Sequence, residues 1–148
     1  MSGLSILPVT PADAEALIQL ARDFHREDGH PLDPALEPGL RRLAAGDPLA
    51  PTWIIREDDA VIGYVALSLG HSIMAGGPDG FIDDLYLVPA ARGRGIGRRV
   101  LAFVEDEARA RGFRALHLEV ELANTRAQPL YATAGFEPSP RKLMTKTL

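Results

Sequence analysis

The chain has 148 residues, 46% of them hydrophobic and 24% charged. That length and mix are typical of one globular domain, which we predict over residues 1–148, and the absence of cysteine excludes disulfides, thiolate metal sites and a cysteine nucleophile. The net charge of −4 argues against a nucleic-acid partner, and the lack of any apolar run near the ~20 residues of a membrane span argues against a membrane partner.

The N-terminal half predicts a strand, two helices and a strand pair. Thr10 and Pro11 are typical of a helix start, and the apolar stripe of this helix extends to Phe24 before breaker residues over 27–31 end it. The chain start lacks the basic-then-apolar pattern of a secretion signal, which predicts a cytoplasmic location. The other elements are predicted over 5–9 (strand), 33–46 (helix), 53–56 (strand) and 61–68 (strand).

The C-terminal half predicts a loop and then alternating strands and helices. Four glycines and a proline over 70–80 predict the loop. Apolar residues at three-to-four-residue spacing predict a helix from Ile96 to a stop signal at Gly112. Strands are predicted over 81–88, 116–122 and 142–147. Together the elements predict an α/β fold of the α+β type with a mixed, mostly antiparallel sheet.

A glycine-rich turn joins the strand over 81–88 to the helix that begins at Ile96. Its glycines take backbone conformations barred to other residues and allow a ligand to approach closely. The orphan N–H groups of the first helical turn, with the helix dipole behind them, favour an anion. Four arginines crowd this part of an acidic chain: Arg92, Arg94, Arg98 and Arg99. The turn predicts a pyrophosphate site, and the alternative is a tight structural turn with solvated arginines.

Two signatures identify the kind of pyrophosphate ligand. The turn is not a Walker motif, because Arg98 follows Gly97, and it lacks the Gly-x-Gly-x-x-Gly spacing of a dinucleotide site. It matches Arg/Gln-x-x-Gly-x-Gly/Ala over residues 92–97, and residues 124–136 match Asn-x-x-Ala-x-x-Leu-Tyr-x-x-x-Gly-Phe. In this order and spacing, from about residue 60 to 137, the chain resembles the GNAT superfamily of acyl-CoA-dependent N-acyltransferases.

The resemblance implies a sheet of about six to seven strands flanked by about four helices, a homodimer, and acetyl-CoA as cosubstrate. It also implies that the strand ending at Val88 splays from its neighbour. Backbone N–H groups near Leu87 and Val88 would then be free to bind the thioester carbonyl and the pantetheine. The cofactor-binding residues that it implies are Leu85, Tyr86, Leu87, Val88, Arg92, Gly93, Arg94, Gly95, Ile96, Gly97, Arg98, Asn124, Ala127 and Tyr131.

Tyr131 corresponds to the tyrosine that many members of this superfamily use as general acid toward the CoA sulfur. The alternative is a packing tyrosine whose hydroxyl is hydrogen-bonded elsewhere. Asn124 resembles a residue that contacts the CoA arm, and it would equally serve as a cap for the helix that follows Ala127.

The general base has two candidate positions. Glu119 lies on the polar side of its predicted strand, twelve residues before Tyr131, as in N-terminal-amine acetyltransferases of the superfamily. Asp83 and Asp84 resemble adjacent acidic residues in diamine acetyltransferases, and carboxylates are costly to bury unpaired in a central strand. A solvated strand face is the alternative for Glu119, which we nevertheless favour as the base.

The segment around residues 24–30 corresponds to the substrate-facing lip of the superfamily. Phe24, Glu27 and Asp28 are therefore expected at the acceptor, where the two carboxylates would favour a cationic amine; the alternative is an exposed acidic loop. His25 and His30 lack a third ligand at convincing spacing, so no metal site is predicted.

The resemblance implies an N-acetyltransferase that transfers an acetyl group directly from acetyl-CoA to a primary amine of a small molecule or a peptide N-terminus. The alternative function is a non-catalytic CoA-binding regulatory module. Such a module would keep the glycine-rich turn but could dispense with Tyr131 and the candidate bases.

Overall fold

The secondary structure of the computed structural model is described for residues 3–148, so residues 1 and 2 of the predicted domain lie outside the described part. None of its helices is long and apolar enough to cross a membrane within that part. The strands are Leu4–Pro8 (β1), Thr52–Glu57 (β2), Ala60–Ser72 (β3), Gly77–Leu87 (β4) and Ala115–Leu118 (β5). The helices are Ala14–Glu27 (α1), Glu37–Gly46 (α2), Ile96–Ala110 (α3) and Gln128–Thr133 (α4).

The strands form one sheet in the order β1-β2-β3-β4-β5. All neighbours are antiparallel except β4 and β5, which are parallel because α3 connects them. This arrangement confirms the predicted α+β class and the mixed, mostly antiparallel sheet. The described residues contain five strands instead of the six to seven expected from the resemblance.

Each face of the sheet is covered by helices. On one face α3 packs its buried residues Val100, Leu101 and Val104 against the sheet. On the other face α1 and α2 cover a second cluster that includes Leu17 and Tyr64. The alternation of strand side chains supplies both layers, since successive residues point to opposite faces.

The predicted loop over 70–80 is wrong, because β3 and β4 continue through it as a hairpin and leave only residues 73–76 as the turn. One of the glycines in this segment, Gly80, has a packing reason. A Cβ on Gly80 would lie 2.5 Å from the Phe113 ring, so glycine here permits close contact between the sheet and the segment after α3. The glycine content predicted a loop, whereas Gly80 lies in a strand and allows the sheet to pack closely against Phe113.

The predicted strands over 116–122 and 142–147 are also corrected. β5 ends at Leu118, and residues 137–148 form no helix or strand and are exposed. Both segments alternate in sequence, but alternation stabilises a strand only where a neighbouring strand pairs with it. Beyond Leu118 the described chain supplies no such neighbour.

A β-bulge at Asp83 interrupts the pairing of β3 with β4. Ala66 pairs with Asp84 and Leu67 pairs with Ile82, which leaves Asp83 as the extra residue. The bulge keeps Ile82 buried on the α3 face together with Leu87, whereas strict alternation would have turned Ile82 away from that face.

Candidate active site

The site is a cleft of about 650 Å³ that opens where β4 and β5 part. Their pairing ends at Ile82 and Leu118, just before the bulge residue. The end of β4 and the glycine-rich turn form one wall, and residues 119–127 with α4 form the other. The C-terminal end of α1 lies across the mouth.

The glycine-rich turn presents the N-terminus of α3 to this cleft. Gly93 and Gly95 adopt left-handed conformations, with φ of 72° and 80°, and Gly95 caps the helix. No acidic residue lies in the first turn of α3, and Arg98 lines the cleft without a hydrogen bond or ion pair to any described residue. The free N–H groups and the positive dipole at the start of α3, together with the unpaired guanidinium of Arg98, are suited to bind a diphosphate.

Gly97 has a different role from its neighbours. A Cβ at this position would lie 3.1 Å from a methyl carbon of Leu130. The glycine therefore lets α4, which carries Tyr131, pack directly against the start of α3.

Most of the predicted cofactor-binding residues line the cleft, and three do not. The lining members are Leu85, Tyr86, Leu87, Arg92, Gly93, Gly95, Gly97, Arg98, Asn124, Ala127 and Tyr131. Arg94 instead forms a bidentate ion pair with Glu57, at 2.9 and 2.7 Å, and Ile96 is buried in the core. The Val88 N–H donates to the Ile62 carbonyl at 2.8 Å, so it is not the free donor that was expected.

Leu87 retains the geometry expected of a free donor. Its carbonyl faces away from β3 and accepts a hydrogen bond from Arg92 Nε at 2.9 Å. The N–H and C=O of one residue in an antiparallel strand point the same way, so the Leu87 N–H also faces the open side.

Glu27 lies in the cleft as predicted, but its charge is compensated by two arginines. Arg92 pairs with both of its carboxylate oxygens, at 2.7 and 2.8 Å, and Arg126 donates to it at 3.2 Å. These contacts, the Arg92 hydrogen bond first, lower the pKa of Glu27. Glu27 thus has no uncompensated charge to offer a cationic amine. Asp28, which lines the cleft together with Phe24, forms no ion pair with the described residues, and its predicted role at the acceptor stays a prediction.

The two aspartates of β4 do not line the cleft. Asp84 accepts hydrogen bonds from Tyr64 Oη at 2.7 Å and from His25 Nε2 at 2.9 Å, and the second of these raises the pKa of His25. The side chain of Asp83 is exposed, yet desolvation by its surroundings and the charges of Asp84 and Glu119 raise its pKa. Neither His25 nor Tyr64 could be foreseen as a partner of Asp84, because their contacts span 59 and 20 residues.

Glu119 is the candidate base with the best access. It lines the cleft, and its carboxylate forms no hydrogen bond or ion pair with the described residues. Glu121 also lines the cleft but pairs with His30 at 3.0 Å. Among the candidate bases Asp83, Asp84 and Glu119 and the neighbouring Glu121, Glu119 alone lines the cleft with a carboxylate that pairs with no described residue.

Tyr131 lies on α4 with its ring 6.1 Å from that of Phe136, centroid to centroid. It lines the cleft, and burial raises its pKa, so the hydroxyl stays protonated at neutral pH. Its hydroxyl has no hydrogen-bond partner among residues 3–148, in contrast to the packing alternative. Asn124 lines the cleft and also accepts a bond from the Ala127 N–H at 3.2 Å, as the capping alternative requires.

We expect Gly95→Ala to weaken CoA binding about tenfold or more, the equivalent of one lost charge-assisted hydrogen bond. The added methyl group would meet no atom within 4 Å, but the left-handed φ of 80° is strained for alanine, so the turn would favour a different local backbone. Gly112→Ala is the matched control, because Gly112 also has a left-handed φ, of 75°, but lies at the far end of α3. Both variants cost about 1–2 kcal/mol of folding stability. Calorimetric titration with CoA distinguishes them, and equal affinities would refute the phosphate-site assignment.

Comparison with known proteins gives matches over most of the chain. The model of the "Acetyltransferase (GNAT) family" matches residues 14–136. An aminoglycoside N(6')-acetyltransferase type 1 from Stenotrophomonas maltophilia is 29% identical over 143 residues, covering 95% of this chain and 90% of that protein. An IAA acetyltransferase from Azospirillum brasilense is 32% identical over 132 residues, covering 82% and 77%.

A solved structure supports the same fold. A predicted acetyltransferase with acetyl-CoA from Clostridium acetobutylicum superposes with a TM-score of 0.81 at 20% identity, covering 97% of this chain and 96% of that one. The family match spans most of the chain and both signatures, which confirms the resemblance noted in the sequence. The chain therefore belongs to the acetyltransferase (GNAT) family.

Proposed function

We propose that this acetyltransferase transfers an acetyl group from acetyl-CoA directly to a primary amine of a small, polycationic molecule. The observation that carries the proposal is the convergence of the glycine-rich turn, Tyr131 and the free carboxylate of Glu119 in one cleft. A binding module without catalysis would need the turn alone. The presence of an acid and a base at the same cleft favours the enzyme over the regulatory module.

The residues at the CoA end fit the cosubstrate, which supplies the acetyl group as a thioester. The N–H groups at the start of α3 and the Arg98 guanidinium would bind the diphosphate. The Leu87 N–H would donate to the thioester carbonyl, where a backbone donor is typically worth about 2.7–4 kcal/mol in acyl transfer.

The proton transfers are assigned to two side chains. Glu119, directly or through a water molecule, takes a proton from the acceptor ammonium, because only the neutral amine has a lone pair for attack. The amine nitrogen then bonds to the acetyl carbon and loses its second proton to solvent, while the carbon–sulfur bond breaks and its electron pair leaves with sulfur. The Tyr131 hydroxyl gives its proton to the departing sulfur and regains one from solvent.

The acceptor class follows from the charges around the far end of the cleft. Asp28, Glu119 and Glu121 line it, with Asp83 and Asp84 nearby. His30 pairs with Glu121 and His25 pairs with Asp84, so Asp28, Asp83 and Glu119 have no ion-pair partner among the described residues. Several carboxylates favour an acceptor with more than one positive charge. The name of the Stenotrophomonas maltophilia relative supports the same class, since aminoglycosides carry several amines. A homodimer, expected from the resemblance, stays a prediction.

Release of free CoA tests the proposed function. The purified protein is mixed with acetyl-CoA and a panel of aminoglycosides, linear polyamines, aromatic amines and peptides with free N-termini. Because the chain has no cysteine, a thiol reagent reports only the CoA that is formed. We expect turnover above the amine-free background with polycationic amines. Preferred turnover of peptides would show that the acceptor is a peptide N-terminus and not a small polycationic amine. CoA binding without turnover of any amine on the panel would favour the regulatory module.

A further inference from the structure

The last residue of α1, Glu27, joins the two walls of the cleft. Its carboxylate holds Arg92 from the glycine-rich turn and Arg126 from the segment between β5 and α4. A second ion pair, between His30 and Glu121, crosses the same mouth. Glu27 is thus an internal anion that pairs with two of the arginines that line the cleft.

The two arginines are held very differently. Arg92 donates to the Leu87 carbonyl, pairs with both oxygens of Glu27 and lies over the Tyr86 ring at 5.4 Å, and its side chain is 21% exposed. Arg126 makes one contact with Glu27, at 3.2 Å, and is 57% exposed. A single exposed ion pair contributes little stability, whereas a guanidinium with several partners is fixed. Arg92 is a structural anchor, and Arg126 is free to exchange its partner.

We propose that Arg126 is a phosphate ligand for CoA that Glu27 holds in the ligand-free cleft and releases when CoA binds. This inference rests on the proposed function, because it requires CoA in the same cleft. A diphosphate carries more charge than one carboxylate and offers more acceptor oxygens to a guanidinium. Glu27 shares its single charge between two arginines, so the exchange leaves Arg92 in place and removes only the weaker contact.

The exchange predicts opposite effects for the two partners of the pair. Arg126→Gln should weaken CoA binding about tenfold through loss of one charge-assisted hydrogen bond to phosphate. Glu27→Gln should tighten CoA binding about threefold, since it removes a competing anion of modest strength at an exposed site. The amide oxygen of Gln at position 27 can still accept from Arg92, so the anchor is kept. Arg126→Lys should retain most of the affinity, because lysine also binds phosphate as a point charge.

A double-mutant cycle measured by calorimetry with CoA tests the inference. The gain from Glu27→Gln should vanish when Arg126 is already Gln, because no competition remains. Arg41→Gln and Glu15→Gln are the matched controls, since they break an exposed Arg–Glu pair between α2 and α1 at 2.8 Å away from the cleft. Thermal unfolding checks that each variant is folded.

Two results would overturn the inference while leaving the proposed function intact. One is unchanged CoA affinity in Arg126→Gln. The other is weaker CoA binding in Glu27→Gln, in both backgrounds, which would make Glu27 a support for Arg92 and not a competitor. A wild-type protein that binds no CoA would instead refute the proposed function and this inference with it.

Discussion

Tyr131→Phe is expected to lower kcat by about 10²–10⁴-fold, the usual contribution of general acid catalysis, with little change in the affinity for acetyl-CoA. The substitution removes only the hydroxyl, and the ring contact with Phe136 stays. Tyr131 lines the cleft and its hydroxyl has no hydrogen-bond partner among the described residues, so removal of the hydroxyl leaves no partner group unpaired. Steady-state rates of CoA release, measured over a range of acetyl-CoA concentrations, separate kcat from KM.

Tyr86→Phe is the comparison for this experiment. Tyr86 also lines the cleft, but its ring lies over Arg92 at the end of β4 and it is not a candidate acid. We expect a far smaller change in kcat for this variant. If Tyr131→Phe acts mainly by raising KM for acetyl-CoA, the packing role is correct and the acid must be sought elsewhere.

Glu119→Gln is expected to lower kcat about a hundredfold or more and to abolish the acidic limb of the pH–rate profile. A carboxylate base is active only when ionised, so activity in the wild type should rise with pH along the acidic limb. The isosteric amide cannot accept the proton. Glu121→Gln is the matched control, because Glu121 lies two residues further along the same cleft wall but pairs with His30.

The aspartates of β4 give the outcome that would contradict this assignment. A nearly silent Glu119→Gln, with a large loss in Asp83→Asn or Asp84→Asn, would place the base on β4. The acidic limb adds a second criterion. The pKa of Asp83 is raised, so a profile governed by Asp83 would have its limb at higher pH than an ordinary aspartate gives. Asp84 is the weaker of the two candidates, because Tyr64 and His25 already hold its carboxylate.

The sequence predicts those features of the site that depend on short stretches of chain. The glycine-rich turn, the helix that begins at Ile96 and the stop of this helix near Gly112 follow from local spacing, and the structure has each of them. Side-chain partners across the fold do not follow. Arg94 turns to Glu57, 37 residues away, and Glu27 is compensated by Arg92, 65 residues away. Neither choice has a local signal, because both depend on which elements the sheet brings together.

The secondary structure likewise divides into features that short stretches of sequence predict and features that depend on contacts across the fold. The turn between β2 and β3 was evident from Asp58 and Asp59, which adopt the positive φ that a two-residue hairpin requires.

Arg126 was missed as a cleft residue, since it occupies a position that the second signature leaves unspecified. A basic residue beside a predicted anion site was the signal that could have identified it.

The bulge at Asp83 makes β4 far less tolerant of a deletion than of a substitution. Upstream of it, Ile82 faces α3, and downstream Leu85 and Leu87 face the same side. The extra residue shifts the alternation of side chains by one position. The apolar side chains before and after the bulge therefore face the same side of the sheet. Loss of this one residue would restore strict alternation and put the two halves out of phase, with either the core or the cleft wall inverted. Substitutions in the part of β4 that follows the bulge therefore keep the register of the strand, whereas a change in its length does not.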